Sequence, residues 1–132
     1  MATIDVTEST FGEVIESNPI VFVDFWAAWC GPCRGFAPVY EAVSADHPDA
    51  VFAKVDTEAE QALAAAANIT SIPTLMAFRD KVLVYSEPGA LSRTDFADLV
   101  EAVKAIDMKD VHARIAAEEQ ARKGVQPPGA EA

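Results

Sequence analysis

Positive charge is scarce in this chain: 10 lysines and arginines stand against 21 aspartates and glutamates, a formal net charge of -11. Such a surface repels phosphate backbones and anionic lipid, so neither nucleic-acid nor membrane-surface binding is expected. Long apolar runs are missing too. The most apolar stretch, Ile20 to Cys33, is broken by Asp24 and falls short of the roughly 18 uninterrupted apolar residues that signal a membrane span. The opening residues, Met1-Ala2-Thr3-Ile4-Asp5, have no basic segment leading into an apolar one. That argues against a secretory leader and for a cytoplasmic chain. Cysteine is reduced to two residues, enough for at most one internal disulfide. In a reducing compartment a lone pair more often serves redox catalysis or metal binding than acts as a staple.

What is present suits one compact domain: 132 residues, 51% of them hydrophobic and 23% charged, supply the apolar surface for a real core. After a first segment over Thr3 to Val6, Phe11, Val14 and Ile15 fall at helical spacing within Thr7 to Glu16, with Thr10 and Glu13 at capping-box separation. Asn18-Pro19 ends that helix. Ile20 to Trp26 is β-branched, aromatic and nearly continuous, the pattern of a strand covered on both faces. A helix is expected from Cys30 to about Asp46, kinked at Pro38, whose missing amide cannot bond back to Arg34.

Val51 to Asp56 is a second apolar strand. Thr57 and Glu60 repeat the capping-box spacing before an alanine-rich helix over Glu58 to Ala67. Thr74 to Phe78 and Val82 to Tyr85, joined by Arg79-Asp80-Lys81, predict a hairpin. The last core helix starts at Ser92 and sets Phe96, Leu99, Val100, Val103 and Ile106 on one face. This order implies an α/β fold, a central mixed β-sheet flanked by helices on both faces. The core domain is expected over residues 1–106. Over 107–132 the apolar stripe thins to Val111 and Ile115, and Gly124 with Pro127-Pro128-Gly129 predicts a helical extension followed by a loose tail.

Cys30 and Cys33 are two residues apart. If a helix begins at the first, both sulfurs share one face at i, i+3 spacing. Unpaired amides at a helix N-terminus stabilise a thiolate, so Cys30 is the expected attacking thiol. Cys33, deeper in the helix, would resolve the mixed disulfide. Structural zinc needs about four close ligands, whereas His47 and His112 lie far from the pair and form no paired-histidine motif. A c-type haem site needs histidine after the second cysteine, where Arg34 stands. No metal site is expected. Asp24, inside an apolar strand, would cost on the order of several kcal/mol if buried, charged and unpaired, so its pKa should rise. Buried acids of this kind cluster at functional sites.

Phe25-Trp26-Ala27-Ala28-Trp29-Cys30-Gly31-Pro32-Cys33 resembles the active-site segment of the thioredoxin family. Ser71-Ile72-Pro73-Thr74 and Pro88-Gly89-Ala90-Leu91-Ser92 stand where that family has its other two active-site loops. The resemblance covers roughly residues 2 to 106. It implies a thioredoxin fold and dithiol-disulfide exchange with protein disulfides, without a bound cofactor, in a chain expected to be a monomer. Its electron source would be an NADPH-dependent flavoprotein, thioredoxin reductase.

By the same resemblance Ile72-Pro73 is a cis peptide facing the cysteines, and Asp24 trades protons with Cys33 under the tuning of Lys54. Trp26 packs beneath the site, and Pro38 belongs to its supporting helix. Trp29, Gly31, Pro32, Ile72, Pro73, Pro88 and Gly89 form a flat apolar surface for a peptide main chain. Gly31-Pro32 resembles the reducing members of the family. The competing class is an interaction or chaperone-like module that uses this patch or the 107–132 extension. Two departures from the family pattern are Gly35 after Arg34, costing about 1 kcal/mol of helix propensity, and the glycine-free turn Arg79-Asp80-Lys81.

Overall fold

A computed structural model describes residues 2–124. Its elements are β1 (Thr3–Asp5), α1 (Glu8–Ser17), β2 (Ile20–Trp26), α2 (Gly31–Ala45), β3 (Val51–Asp56), α3 (Gln61–Ala66), β4 (Thr74–Arg79), β5 (Val82–Pro88), α4 (Arg93–Lys104) and α5 (Met108–Gly124). The five strands form one sheet in the order β1-β3-β2-β4-β5. β1, β3 and β2 run parallel, while β4 is antiparallel to both β2 and β5. The mixed sheet expected from the element order is therefore present.

Alternation along the central strand β2 divides the core. Val21, Val23 and Phe25 face Ile15 of α1 and Leu63 of α3. Phe22 faces Phe36, Tyr40 and Val43 of α2 and Phe96, Val100 and Val103 of α4. Both faces are covered, which is why β2 is apolar at every position but Asp24 rather than alternating. Phe22, Tyr40, Phe52 and Phe96 stack or meet edge to face, with centroids 4.9 to 6.1 Å apart. This aromatic knot braces α2 against the sheet.

Two helix starts differ from expectation. α1 begins one turn earlier than the Thr10 and Glu13 pairing suggests: Thr7 is the N-cap, and its amide donates to Thr10 Oγ1 at 3.0 Å. α3 starts at Gln61 rather than Glu58. The Thr57 hydroxyl donates to the Trp26 carbonyl at 3.0 Å, and no amide of the following turn bonds to its oxygen. Asp56 Oδ1 instead takes the amides of Glu58 and Ala59, holding residues 57–59 in a turn.

α2 runs on through Pro38 without interruption. Ser92 caps α4, accepting from the Asp95 amide at 3.1 Å. α5 follows as an extension whose Met108 is buried, whose Val111 and Ile115 are half-buried, and whose other residues as far as Lys123 are exposed. The loose tail expected beyond Gly124 lies outside the described residues.

Candidate active site

The parallel pairing of β2 with β3 puts Trp26 opposite Asp56 and Asp24 opposite Lys54. The chain leaves β2 at Trp26, turns through Ala27, Ala28 and Trp29, and enters α2 at Cys30. Cys30 is the helix N-cap, and its sulfur accepts from the Cys33 amide at 3.2 Å. Gly31 and Pro32 form the exposed first turn, where a missing proline amide costs no helical bond. Cys30 and Cys33 are joined as a disulfide, with Cα atoms 5.2 Å apart. Both are buried, at 4% and 3% exposure, so burial does not rank them as the sequence reading expected. The helix-capping position does, because the amide bond to Cys30 Sγ favours its thiolate.

The loop before β4 closes over the pair. Ile72-Pro73 is cis, and the Ile72 carbonyl lies 3.7 Å from Cys30 Sγ. Pro73 is itself buried and Ile72 half-buried. Pro73 therefore lies beneath Ile72 rather than at the surface. The Thr74 hydroxyl donates to the Ser71 carbonyl at 2.6 Å, and the Gly89 amide donates to the Pro73 carbonyl at 2.8 Å. Gly89 sits at φ 107, a left-handed value that its missing side chain permits at little cost. Pro88 pairs with Thr74 at the end of β5 and is exposed beside it.

Trp29 is 66% exposed and walls a groove of about 340 Å³ that also takes in Thr57, Ile69, Ser71 and Ile72. Its indole Nε1 donates to Glu58 Oε1. Trp26 packs against Ala27, Cys30 and Cys33, and its Nε1 is buried with no partner among the described residues. Pro38 lies exposed two turns further along α2, apart from this cluster.

Asp24 points to the α2 side of the sheet, on the face of Phe22. It is 1% exposed, and neither carboxylate oxygen has a hydrogen-bond partner among the described residues. Burial drives its pKa from 3.8 up to about 7, and the charge of Lys54 pulls only partly the other way. Lys54 forms no ion pair with it. Its ammonium lies 5.0 Å from the centroid of the Trp26 ring and borders a cleft with Asp5, Asp56 and Glu60. The attraction of Lys54 does not offset desolvation. The neighbouring Tyr40 hydroxyl, fully buried and donating to the Ala53 carbonyl at 2.8 Å, is held above its usual range by burial and by the Asp24 charge.

Two contacts had no counterpart in the sequence reading: the grip of Glu58 on Trp29, and a 2.8 Å bond from Arg34 Nη1 to the Ala28 carbonyl. No spacing rule joins residue 29 to residue 58. Only the register of Trp26 with Asp56 brings the two strand exits side by side.

Comparison with known proteins agrees with this geometry. The family model described as Thioredoxin matches residues 2–102. A protein named putative thioredoxin 2 from Streptomyces coelicolor is 45% identical over 123 residues, 93% of this chain and 91% of that relative. A thioredoxin from Mycobacterium tuberculosis is 44% identical over 105 residues, covering 75% and 90%. Among solved structures, a single-substitution mutant thioredoxin from Halobacterium salinarum superposes with a TM-score of 0.73 at 32% identity, over 80% of this chain and 95% of that one. The oxidised thioredoxin of Plasmodium falciparum gives 0.69 at 36% identity, over 76% and 96%.

Proposed function

The chain belongs to the thioredoxin family and is a thiol-disulfide oxidoreductase, and from that premise we propose that it works as a cytoplasmic protein-disulfide reductase with ordered roles for its two sulfurs. The observation that carries this reading is the disulfide set across the N-cap of α2, with the Cys33 amide bonded to Cys30 Sγ and the Ile72 carbonyl beside it.

In the reduced protein the Cys30 thiolate attacks one sulfur of a substrate disulfide. A mixed disulfide forms and the other substrate sulfur leaves as a thiolate that takes a proton. Cys33 then loses its proton, with Asp24 as acceptor, and attacks Cys30 Sγ. The mixed bond breaks, the second substrate thiol departs, and the Cys30–Cys33 disulfide remains. Two electrons have passed to the substrate. An acid with a pKa of about 7 is suited to this step, since it holds or releases a proton near neutral pH at little cost.

Trp29, Ile72, Pro88 and Gly89, with Gly31 and Pro32, present the docking surface around the sulfurs, and Pro73 supports it from beneath. Lys54 tunes Asp24 from a distance, and Trp26 fills the floor. The exchange unit is residues 1–106, with 107–132 appended to it. Regeneration by an NADPH-dependent thioredoxin reductase returns the disulfide to the dithiol. Among the described residues no helix is long and apolar enough to cross a membrane. The test is insulin reduction coupled to NADPH oxidation through thioredoxin reductase. Turnover that disappears in Cys30→Ser supports the reading, and turnover that survives it, or none in the native chain, refutes it.

A further inference from the structure

Arg34 follows the resolving cysteine and is exposed, yet its side chain is not spread into solvent. Its guanidinium folds back over the first turn of α2 and donates through Nη1 to the Ala28 carbonyl at 2.8 Å. A Cβ placed on Gly31 would lie 4.0 Å from Nη2, so the cation rests against the residue next to Cys30. The Arg34 amide meanwhile bonds to the Cys30 carbonyl at 3.1 Å. The segment held in this way, Ala27 to Trp29, belongs to no helix or strand, and the Cys30 amide at the helix cap donates to its Ala27 carbonyl at 3.2 Å.

On the far side of the same turn Glu58 holds the Trp29 indole. The turn that carries both the attacking sulfur and the exposed docking tryptophan is thus tied at each end by a long charged side chain. One tie grips the backbone and the other grips the ring. An arginine suits the first task because its planar fork donates to a carbonyl while keeping a permanent charge. Placed beside Gly31, that charge also favours a thiolate over a thiol at Cys30.

We propose that Arg34 is a positioning residue for disulfide exchange: it pins the Ala28–Cys30 turn through the Ala28 carbonyl and holds a fixed positive charge against Gly31, the residue that follows the attacking cysteine. The inference rests on Cys30 being the attacking thiol. Wild-type protein tests that premise separately, since iodoacetamide must label Cys30 before Cys33 once the disulfide is reduced.

Given that order of labelling, the pH profile of Cys30 alkylation and the KM for insulin are measured in wild type, Arg34→Met and Arg34→Lys. Methionine removes both bond and charge. Lysine keeps the charge but lacks the fork. The methionine variant is expected to move the alkylation midpoint upward, leaving about threefold less thiolate at pH values below it, and to raise KM about threefold. The lysine variant is expected to restore the midpoint while KM stays raised. A midpoint that does not move with methionine, or that moves equally in both variants, overturns the proposal. So does a KM that stays at the wild-type value in both.

Discussion

Asp24 poses the sharpest conflict between stability and chemistry at any single position. Its carboxyl titrates at about 7 in the folded chain against 3.8 as a free side chain. Between those pH values the unfolded chain is ionised while the folded chain still holds the proton. The folded state therefore binds more protons, and stability falls as pH rises through the window. The cost is absent well below pH 4 and complete above about pH 7, where it reaches about 4 kcal/mol as an upper bound. Asp24→Asn should accordingly unfold at higher urea concentration than wild type near pH 8.5, and its advantage should shrink by about 2 to 3 kcal/mol near pH 5. The same variant should slow resolution of the mixed disulfide and remove the inflection near neutral pH from single-turnover rates. An advantage that does not vary with pH would mean that the folded carboxyl titrates normally.

The cysteines allow an independent check at the same scale. On the proposed order, Cys33→Ser leaves Cys30 at the helix cap with its attacking power but removes the sulfur that ends the encounter. Mixed disulfides should then accumulate on Cys30, visible as substrate adducts on non-reducing gels and located by peptide mass. A variant that accumulates no adducts would refute the assigned order.

Among the elements, the hairpin between β4 and β5 carries a local strain that can be relieved. Asp80 and Lys81 both adopt left-handed backbone, at φ 48 and 73. Two such residues in succession make the tight turn that matches strand twist, and asparagine, aspartate and glycine tolerate it best. Asp80 belongs to that group and Lys81 does not. Lys81→Gly should stabilise the protein by about 0.5 to 1 kcal/mol, read as a higher urea midpoint with an unchanged slope. A lower midpoint would mean that the lysine side chain makes compensating contacts at the hairpin tip.

The elements also mark what could be read from residues alone. β2 and β3 stood out to their end residues because runs rich in β-branched and aromatic residues are bounded by Asn18-Pro19, Asp49 and the turn after Asp56. Helix starts were less legible. Thr57 has the spacing of a cap, but Asp56 accepts the amides of the turn instead and α3 starts only at Gln61, while the Thr57 hydroxyl donates to the Trp26 carbonyl 31 residues away, a contact visible only after the sheet is assembled. The cysteine pair was evident from Cys30-Gly31-Pro32-Cys33, and the burial and raised pKa of Asp24 were legible from an isolated acid in an apolar strand. The cis geometry at Pro73 came from resemblance. The ties by Glu58 and Arg34 were invisible, since each depends on where two long side chains end.

At the scale of the whole molecule the excess of 11 negative charges sets how stability responds to salt. Two opposing effects compete. Exposed ion pairs such as Lys104 with Asp49 at 2.9 Å and Arg114 with Asp110 at 3.1 Å are weakened by screening, yet surface pairs of this kind contribute little. Repulsion among surplus carboxylates acts over the whole surface and is also screened, as the Debye length falls from about 30 Å at 0.01 M to about 8 Å at 0.15 M. With roughly two acids for every base, repulsion outweighs the pairs. Raising sodium chloride from about 0.01 to 0.15 M near pH 8 should therefore lift the melting temperature by a few degrees, ~1 kcal/mol at this chain length. Near the sequence pI of about 4.4 the net charge vanishes, and the same salt step should leave the melting temperature level or lower it. A fall with salt near pH 8 would show that the scattered ion pairs outweigh the net charge.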